Sequence, residues 1–311
     1  VSQILITGAS GFVGQALAPV LAPHHRVVVA TRRASPMPGC EFQVVGEIGP
    51  ETDWSDALQG IECVVHLAGL AHVTGEDTAF QRVNCAGTLR LAEAAQRAGV
   101  ARLVFLSSVK VNGEATSVKP FHEDDPPHPV GPYAESKWAA EQGLARVASQ
   151  SGMEIIILRP PLIYGPGVKA NMLALLRLCA RGVPLPFGAV DNRRSLLYLG
   201  NLVDAIRQTV EAPTRHGCRT YLLRDGEDIS TAALIRTLAK ALGRTPRLLP
   251  VPSRWLAAAL ALVGKGAAAD RLLGSLTVDD SRFRADFAWQ PPYSVAEGLA
   301  ATAAWFSVLA R

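Results

Sequence analysis

A tyrosine and a lysine stand four residues apart in "PYAESKWAAEQ": Tyr133 and Lys137. On a helix that spacing puts them on one face, a turn apart. A free phenol, with a pKa of about 10, is a poor base at neutral pH. An ammonium one turn away favours its phenolate by Coulomb attraction, so such a pair could take up and return a proton. A core tyrosine beside a solvated lysine has the same spacing. The elements around the pair must decide between these readings.

Other polar residues stand at places suited to chemistry. "RLVFLSSVKVNGE" is an apolar strand ending in Ser107 and Ser108, and open α/β sheets bind ligands at strand C-termini. Asn84, in "FQRVNCAGTLRLAEAA", falls inside a helical pattern, an unhelpful place unless its amide has a partner. "ILITGASGFVGQAL" reads as strand, glycine-rich turn and helix start, with Gly8, Gly11 and Gly14 at intervals of three. Gly8 permits the tight turn, Gly11 lets backbone approach a pyrophosphate, and Gly14 lets the helix pack on the strand. The helix N-terminus then offers amide donors to phosphates. After the second strand, "RVVVATRR", stand Thr31, Arg32 and Arg33. A site that prefers NAD usually has an acid there for the ribose hydroxyls. Two guanidiniums suit a 2′-phosphate instead, so NADP(H) is favoured and NAD(H) remains possible.

These residues need a scaffold of strands whose C-terminal ends meet. Apolar runs end at Ile6, Ala30, Val45, Leu67, Leu106 and Leu158, with helical patterns at Phe12–Leu21, Trp54–Leu58, Thr78–Ala98 and Tyr133–Ser149. Short β-branched runs separated by helices predict an α/β fold, a doubly wound parallel sheet of the Rossmann type. After Pro160 the rhythm changes: Pro and Gly cluster, and helical patterns dominate at Asn171–Arg181, Leu202–Glu211, Thr231–Leu242, Arg254–Val263 and Val295–Leu309. The expected division is a dinucleotide-binding domain of 1–160 with about 196–222, and a smaller, mostly helical substrate domain of 161–195 with 223–311.

Composition narrows the function class. Of the 311 residues 49% are hydrophobic and 19% charged, which is a globular balance. The net charge of +4 comes without a dense Lys/Arg block, so no nucleic-acid partner is expected. The cysteines (Cys40, Cys63, Cys85, Cys179 and Cys218) are odd in number and form no Cys-x-x-Cys. A reducing, cytoplasmic setting is expected, with no metal site. A strand begins almost at once, and no signal peptide is expected. "WLAAALALVG", from Trp255, is too short to span a bilayer and reads as a buried or lid helix, so no membrane insertion is expected.

Taken together, TGASGFVG, HLAGL, VNCAGT, SSVKVNG, YAESK, LRPPLIYGPG and RSLLYLGNLVDAI span nearly the whole chain. The set resembles the extended short-chain dehydrogenase/reductase family, in its branch of nucleotide-sugar epimerases, dehydratases and reductases. The resemblance implies hydride transfer at a carbon bearing oxygen. Tyr133 would be the acid/base, Lys137 would tune it and hold the nicotinamide ribose, and Ser108 would polarise the substrate oxygen. Asn84 would complete the catalytic set, chiefly by fixing helix geometry or a water path. The same resemblance places Ser10, Phe12, Val13, Leu67, Ala68, Gly69, Ser107 and Pro160 at the cofactor, with Glu47 and Ile48 beside the adenine. The family usually has Asp where Glu47 stands.

"YGPGVKANMLALL" and "FGAVDNRRSLLYLGN" are similar to sugar-nucleotide-binding segments of UDP-sugar 4-epimerases and their reductase relatives. Asn171 and Arg194 would meet the diphosphate, Phe187 a base or sugar, Lys110 the substrate, and Arg271 a second phosphate. Many 4-epimerases carry Asn where this chain has Leu162, and Asn112 replaces a common Tyr. Reduction of a UDP-4-keto-6-deoxy-N-acetylhexosamine at C4 with NADPH, as in bacterial polysaccharide assembly, is the leading expectation. A UDP-hexose or UDP-N-acetylhexosamine 4-epimerase with tightly held NAD is the alternative, and a non-catalytic NADP sensor a second one. A 4,6-dehydratase is disfavoured because Val109 and Lys110 stand where its Asp-Glu pair belongs. A homodimer through Thr78–Ala98 and Tyr133–Ser149 is expected by the same resemblance.

Overall fold

The computed structural model describes residues 1–71, 77–262, 266 and 272–309. Its centre is a seven-stranded sheet in the order β3-β2-β1-β4-β5-β6-β9, with every pair parallel. The strands are β1 (Gln3–Thr7), β2 (Arg26–Thr31), β3 (Glu41–Val44), β4 (Cys63–His66), β5 (Arg102–Leu106), β6 (Glu154–Arg159) and β9 (Gly217–Leu222). β4 and β6 are buried along their whole length, as helices on both faces of a parallel sheet require.

Strand alternation sorts the core into two layers. Ile4, Ile6, Val27, Val29, Val65 and Ile156 face α1 (Phe12–Leu21) and α6 (Leu199–Glu211). Leu5, Val64, Leu103, Phe105 and Ile155 face α3 (Thr88–Arg97) and α4 (Pro132–Ser149). Pro132 opens α4 in the first turn, where its missing N–H costs nothing. α3 runs on without a break from α2 (Asp77–Phe80) through a π-helical stretch, Gln81–Gly87.

A third cluster joins Tyr164, Met172 and Leu176 to Leu234, Leu238, Leu299 and Phe306. It gathers α5 (Ala170–Arg181), α7 (Thr231–Ala241) and α10 (Val295–Leu309) around a two-stranded parallel sheet of β7 (Leu162–Tyr164) and β8 (Leu196–Tyr198). Phe12 packs against both this cluster and the α1 layer. Asp225, fully buried, ties the cluster together by accepting from Tyr164 Oη at 2.8 Å, Tyr198 N at 2.8 Å and Asn201 Nδ2 at 2.7 Å.

Two expectations need correction. Trp54–Leu58 is a run of turns closed by Leu58 N donating to Trp54 O at 3.0 Å, too short for a helix to propagate. The apolar segment from Trp255 is a helix, α8 (Ser253–Leu262), but of the two readings offered for it the buried one holds only at Leu256: Trp255 and Leu262 are exposed. Short α9 (Ser281–Phe287) was not expected; it packs Phe283 under the sheet. Among the described residues no helix is long and apolar enough to cross a membrane, and no cluster of His, Cys, Asp and Glu could hold a metal ion.

Candidate active site

The strand order reverses between β1 and β4, where Thr7 pairs with His66. Such a switch point opens a crevice at the carboxyl ends of the strands. Gly8 lies in it with φ +71°, and a Cβ there would come within 2.7 Å of Ala68 N. Only glycine lets the segments after β1 and β4 approach so closely. Gly11 N donates to Gly8 O at 2.9 Å, and any side chain at Gly14 would strike Gly8 O. Gly11 is also the N-cap of α1 and brings no side chain to the free amides of the first turn, which begins at Phe12 and Val13. Backbone donors left open beside a glycine-walled crevice fit a dinucleotide pyrophosphate. Ser10 and Gly11 are exposed at its rim.

Thr31 is buried at the end of β2, while Arg32 and Arg33 beyond it are exposed and make no ion pair among the described residues. Glu47 is exposed after β3. Ile48 lies against Gly87, whose absent Cβ would meet its methyl at 2.8 Å.

A directed chain of hydrogen bonds holds the β4 end of the crevice. Thr88 Oγ1 donates to Asn84 O at 2.7 Å, so it accepts from His66 Nε2 at 2.9 Å. His66 Nδ1 is then the acceptor for Thr7 Oγ1 at 2.6 Å, and Thr7 Oγ1 accepts from Ala68 N at 3.2 Å. Burial, with Lys137 nearby, pushes the His66 pKa down to about 3. Asn84 clamps the same loop: its Oδ1 accepts from Leu70 N at 2.7 Å and its Nδ2 donates to Leu70 O at 3.0 Å and Ser136 Oγ at 3.1 Å. All its side-chain contacts are thus to the loop and to α4.

Tyr133, Lys137 and Ser108 come together across α4 and the end of β5. Lys137 Nζ donates to Leu106 O at 2.9 Å and stands 4.5 Å above the Phe105 ring. It would lie 3.3 Å from a Cβ on Gly69, so Gly69 keeps space open beside the ammonium. Burial lowers the Lys137 pKa to about 8, and Glu141 opposes that shift. Tyr133 is half-buried and meets the Phe80 ring edge-on, with centroids 6.2 Å apart. Burial raises its pKa, and a hydrogen bond with the Ser108 side chain pulls the other way. In the protein alone Tyr133 is therefore a neutral phenol at pH 7. Ser108 Oγ also accepts from Lys110 N at 3.2 Å, which opens the short turn Val109–Val111.

Beneath this group lies a buried network that the motifs do not reveal. Glu141 bonds Ser107 Oγ and pairs with Arg159, whose Nη2 lies 2.5 Å from Oε2. Arg159 Nη1 donates to Asn112 Oδ1 at 3.0 Å, and Asn112 Nδ2 to His122 O at 2.9 Å. The Ser107 hydroxyl is thus engaged by Glu141 of α4. Pro160, after Arg159, is buried, and its carbonyl accepts from Val109 N at 3.0 Å.

The substrate-side residues are spread across the other lobe. Asn171 is exposed in the first turn of α5, where no side chain caps the amides. Arg194 is half-buried, donates to Gly274 O at 3.0 Å and feels the charge of Glu114. Lys110 Nζ pairs with that same Glu114 at 2.6 Å. Phe187 is half-buried against the third cluster. Leu162 is exposed although it belongs to β7. Arg271 lies outside the described residues.

Comparison with known proteins agrees with this geometry. The family model described as "NAD dependent epimerase/dehydratase family" matches residues 4–222. UDP-glucose 4-epimerase of Vibrio cholerae is 42% identical over 98% of this chain and 95% of its own. N-acetyl-alpha-D-glucosaminyl-diphospho-ditrans,octacis-undecaprenol 4-epimerase of Escherichia coli O157:H7 is 28% identical over 84% of this chain and 77% of its own. The structure of MoeE5 in complex with UDP-glucuronic acid and NAD superposes with a TM-score of 0.80 at 26% identity, covering 99% of this chain and 100% of that one. With its crevice, its Tyr-Lys helix and these likenesses, the chain belongs to the NAD-dependent epimerase/dehydratase family and is an enzyme of that family.

Proposed function

We propose that the protein is a 4-epimerase of a UDP-hexose or UDP-N-acetylhexosamine that keeps NAD bound through its cycle. The observation that carries the reading is the grouping of Tyr133, Ser108 and Lys137 at the mouth of the glycine-walled crevice. The relative from Vibrio cholerae, named for this activity, supports it across nearly the full chain. When bound, NAD supplies the acceptor and donor of the hydride at the sugar C4. Tyr133 Oη takes the proton of the C4 hydroxyl and later gives it back, and Ser108 Oγ holds that oxygen. Lys137 carries the positive charge that favours the Tyr133 phenolate, overcoming the upward push of burial. Gly8, Gly11, Gly14 and the first turn of α1 hold the pyrophosphate. Asn171 and Arg194 hold the sugar-nucleotide diphosphate, Phe187 packs on it, and Lys110 meets the substrate once its ammonium leaves Glu114.

In this reading the chain divides into a cofactor domain of 1–160 with about 196–222 and a substrate domain of 161–195 with 223–311. It pairs as a homodimer through Thr78–Ala98 and Tyr133–Ser149, which sedimentation would test. One observation favours the second reading, a 4-keto-sugar reductase fed by NADPH: exposed Arg32 and Arg33 follow β2, and no acid stands there. The protein as purified separates the two. NAD that survives gel filtration, with interconversion of UDP-glucose and UDP-galactose or their N-acetylated forms, is expected. An empty site, together with NADPH consumption on a UDP-4-keto sugar, would replace the epimerase by the reductase. A sugar diphosphate on a polyprenol belongs in the same panel, because one relative is named for such a substrate.

A further inference from the structure

Residues 229–262 contain no aspartate or glutamate but five basic residues: Arg236, Lys240, Arg244, Arg247 and Arg254. All five are exposed, and none has an acidic partner among the described residues. The whole chain has a net charge of only +4, so this segment accounts for its entire positive excess. Within it lies the exposed helix α8. Trp255, Ala258, Ala259 and Leu262 are exposed there at intervals of three and four residues, which is one helix face. Trp255 is 64% exposed, Leu262 88%, and Leu249 just before the helix 51%. A tryptophan and two leucines in water, beside unpaired arginines, are not what a solvated face usually carries.

We propose that α8 and Leu249 form a docking face for the surface of an anionic membrane. The helix spans about 15 Å, half the thickness of a bilayer core, so it lies in the interface and does not cross it. Trp255 is the residue type that settles at headgroup depth, and the apolar stripe enters the acyl boundary. The arginines meet lipid phosphates, an interaction that falls off within a Debye length. Charge decides against a second copy as the occupant, because self-pairing through α8 would bring two copies of Arg254 together with no acid in the segment to offset them. The face also connects to the substrate lobe. Leu249 N donates to Leu185 O at 2.9 Å, Leu185 N to Arg247 O at 2.8 Å and Gly188 N to Leu249 O at 2.9 Å, flanking Phe187 on both sides. Docking would place the Phe187 segment against the membrane, whatever the reaction.

The test is flotation of the full chain with vesicles of phosphatidylethanolamine and phosphatidylglycerol, against vesicles of phosphatidylcholine. Flotation with the anionic vesicles alone is expected, reversed by salt and accompanied by a blue shift of tryptophan emission. The double variant Trp255→Ser/Leu262→Ser should lose flotation at unchanged melting temperature, since both side chains are exposed. The variant Arg244→Glu/Arg247→Glu/Arg254→Glu should bind at least about fivefold more weakly for each charge removed. Failure of the wild-type chain to float, or flotation indifferent to lipid charge, overturns the proposal. So does a dimer that Trp255→Ser/Leu262→Ser converts to monomer, which would assign the stripe to a second copy.

Discussion

The Lys137 ammonium donates to the main-chain oxygen of Leu106, the last residue of β5. One bond therefore fixes the lysine of α4 to the strand end that presents Ser108, two residues on. The spacing of Tyr133 and Lys137 is set by a helix, but their position over the crevice is set by this bond and by Glu141 beneath it.

Tyr133→Phe keeps the ring that packs on Phe80 and removes only the hydroxyl. Turnover should fall by about 10²–10⁴-fold, the usual worth of a general acid/base. Cofactor retention should be unchanged, as read by absorbance of the purified protein. Wild-type turnover in this variant would remove Tyr133 from the chemistry.

The cost of burying Lys137 can be read from pH. Its folded pKa of about 8 lies below the unfolded 10.5, so between those values the unfolded chain binds more protons and stability rises with pH. Lys137→Met lacks this dependence. The stability of wild type relative to Lys137→Met should climb by about 3 kcal/mol from pH 8 to 10.5 in chemical denaturation. A flat difference would mean that the ammonium is solvated.

Glu141→Gln keeps hydrogen-bonding capacity toward Ser107 and Arg159 but removes the charge that holds the Lys137 pKa up. Lys137 should then lose its proton at lower pH, since the Arg159 charge is no longer neutralised and His66 on β4 is uncharged. The alkaline limb of the kcat profile should move to lower pH. An unmoved limb with a lowered melting temperature would make Glu141 purely structural.

His66 offers a third pH signature. It is buried neutral with a pKa of about 3, against 6.5 unfolded. Folding stability should therefore fall as pH drops below 6.5, by about 1.4 kcal/mol per unit until about pH 3. In His66→Gln this component of the acid loss should be missing from denaturation curves. Equal slopes in the two proteins would place a charged or exposed imidazole at this position.

The strands β1, β2, β4, β5 and β6 could be read from sequence because each is a short apolar run bounded by turn residues, whereas β3, EFQV, showed only its apolar end. Tyr133, Lys137 and the glycine loop were equally visible, since each lies within one local motif. The relay of Thr7, His66 and Thr88 was not: the register of β1 on β4 creates it, between residues far apart in the chain. HLAGL drew attention to its loop residues, and the histidine that begins it carried no signal of its own. Glu141 was hidden differently, as an ordinary helical acid whose burial depends on Ser107 and Arg159 arriving from two strands. β7 and β8 are too short to show any period. The apolar run of α8 predicted a helix and said nothing about which side of the molecule would leave it uncovered.

β9 enters the sheet beside β6 only after the chain has built α4, β7, α5, β8 and α6. During synthesis the large sheet must therefore wait, with the Ile155–Leu158 strand edge open, until residue 222 leaves the ribosome. A nascent chain arrested at residue 211 should collect in the insoluble fraction and be rescued by chaperones, whereas one arrested after 222 should not. The late arrival of one six-residue strand thus makes the interval between the two halves of the gene product its most hazardous stretch to translate.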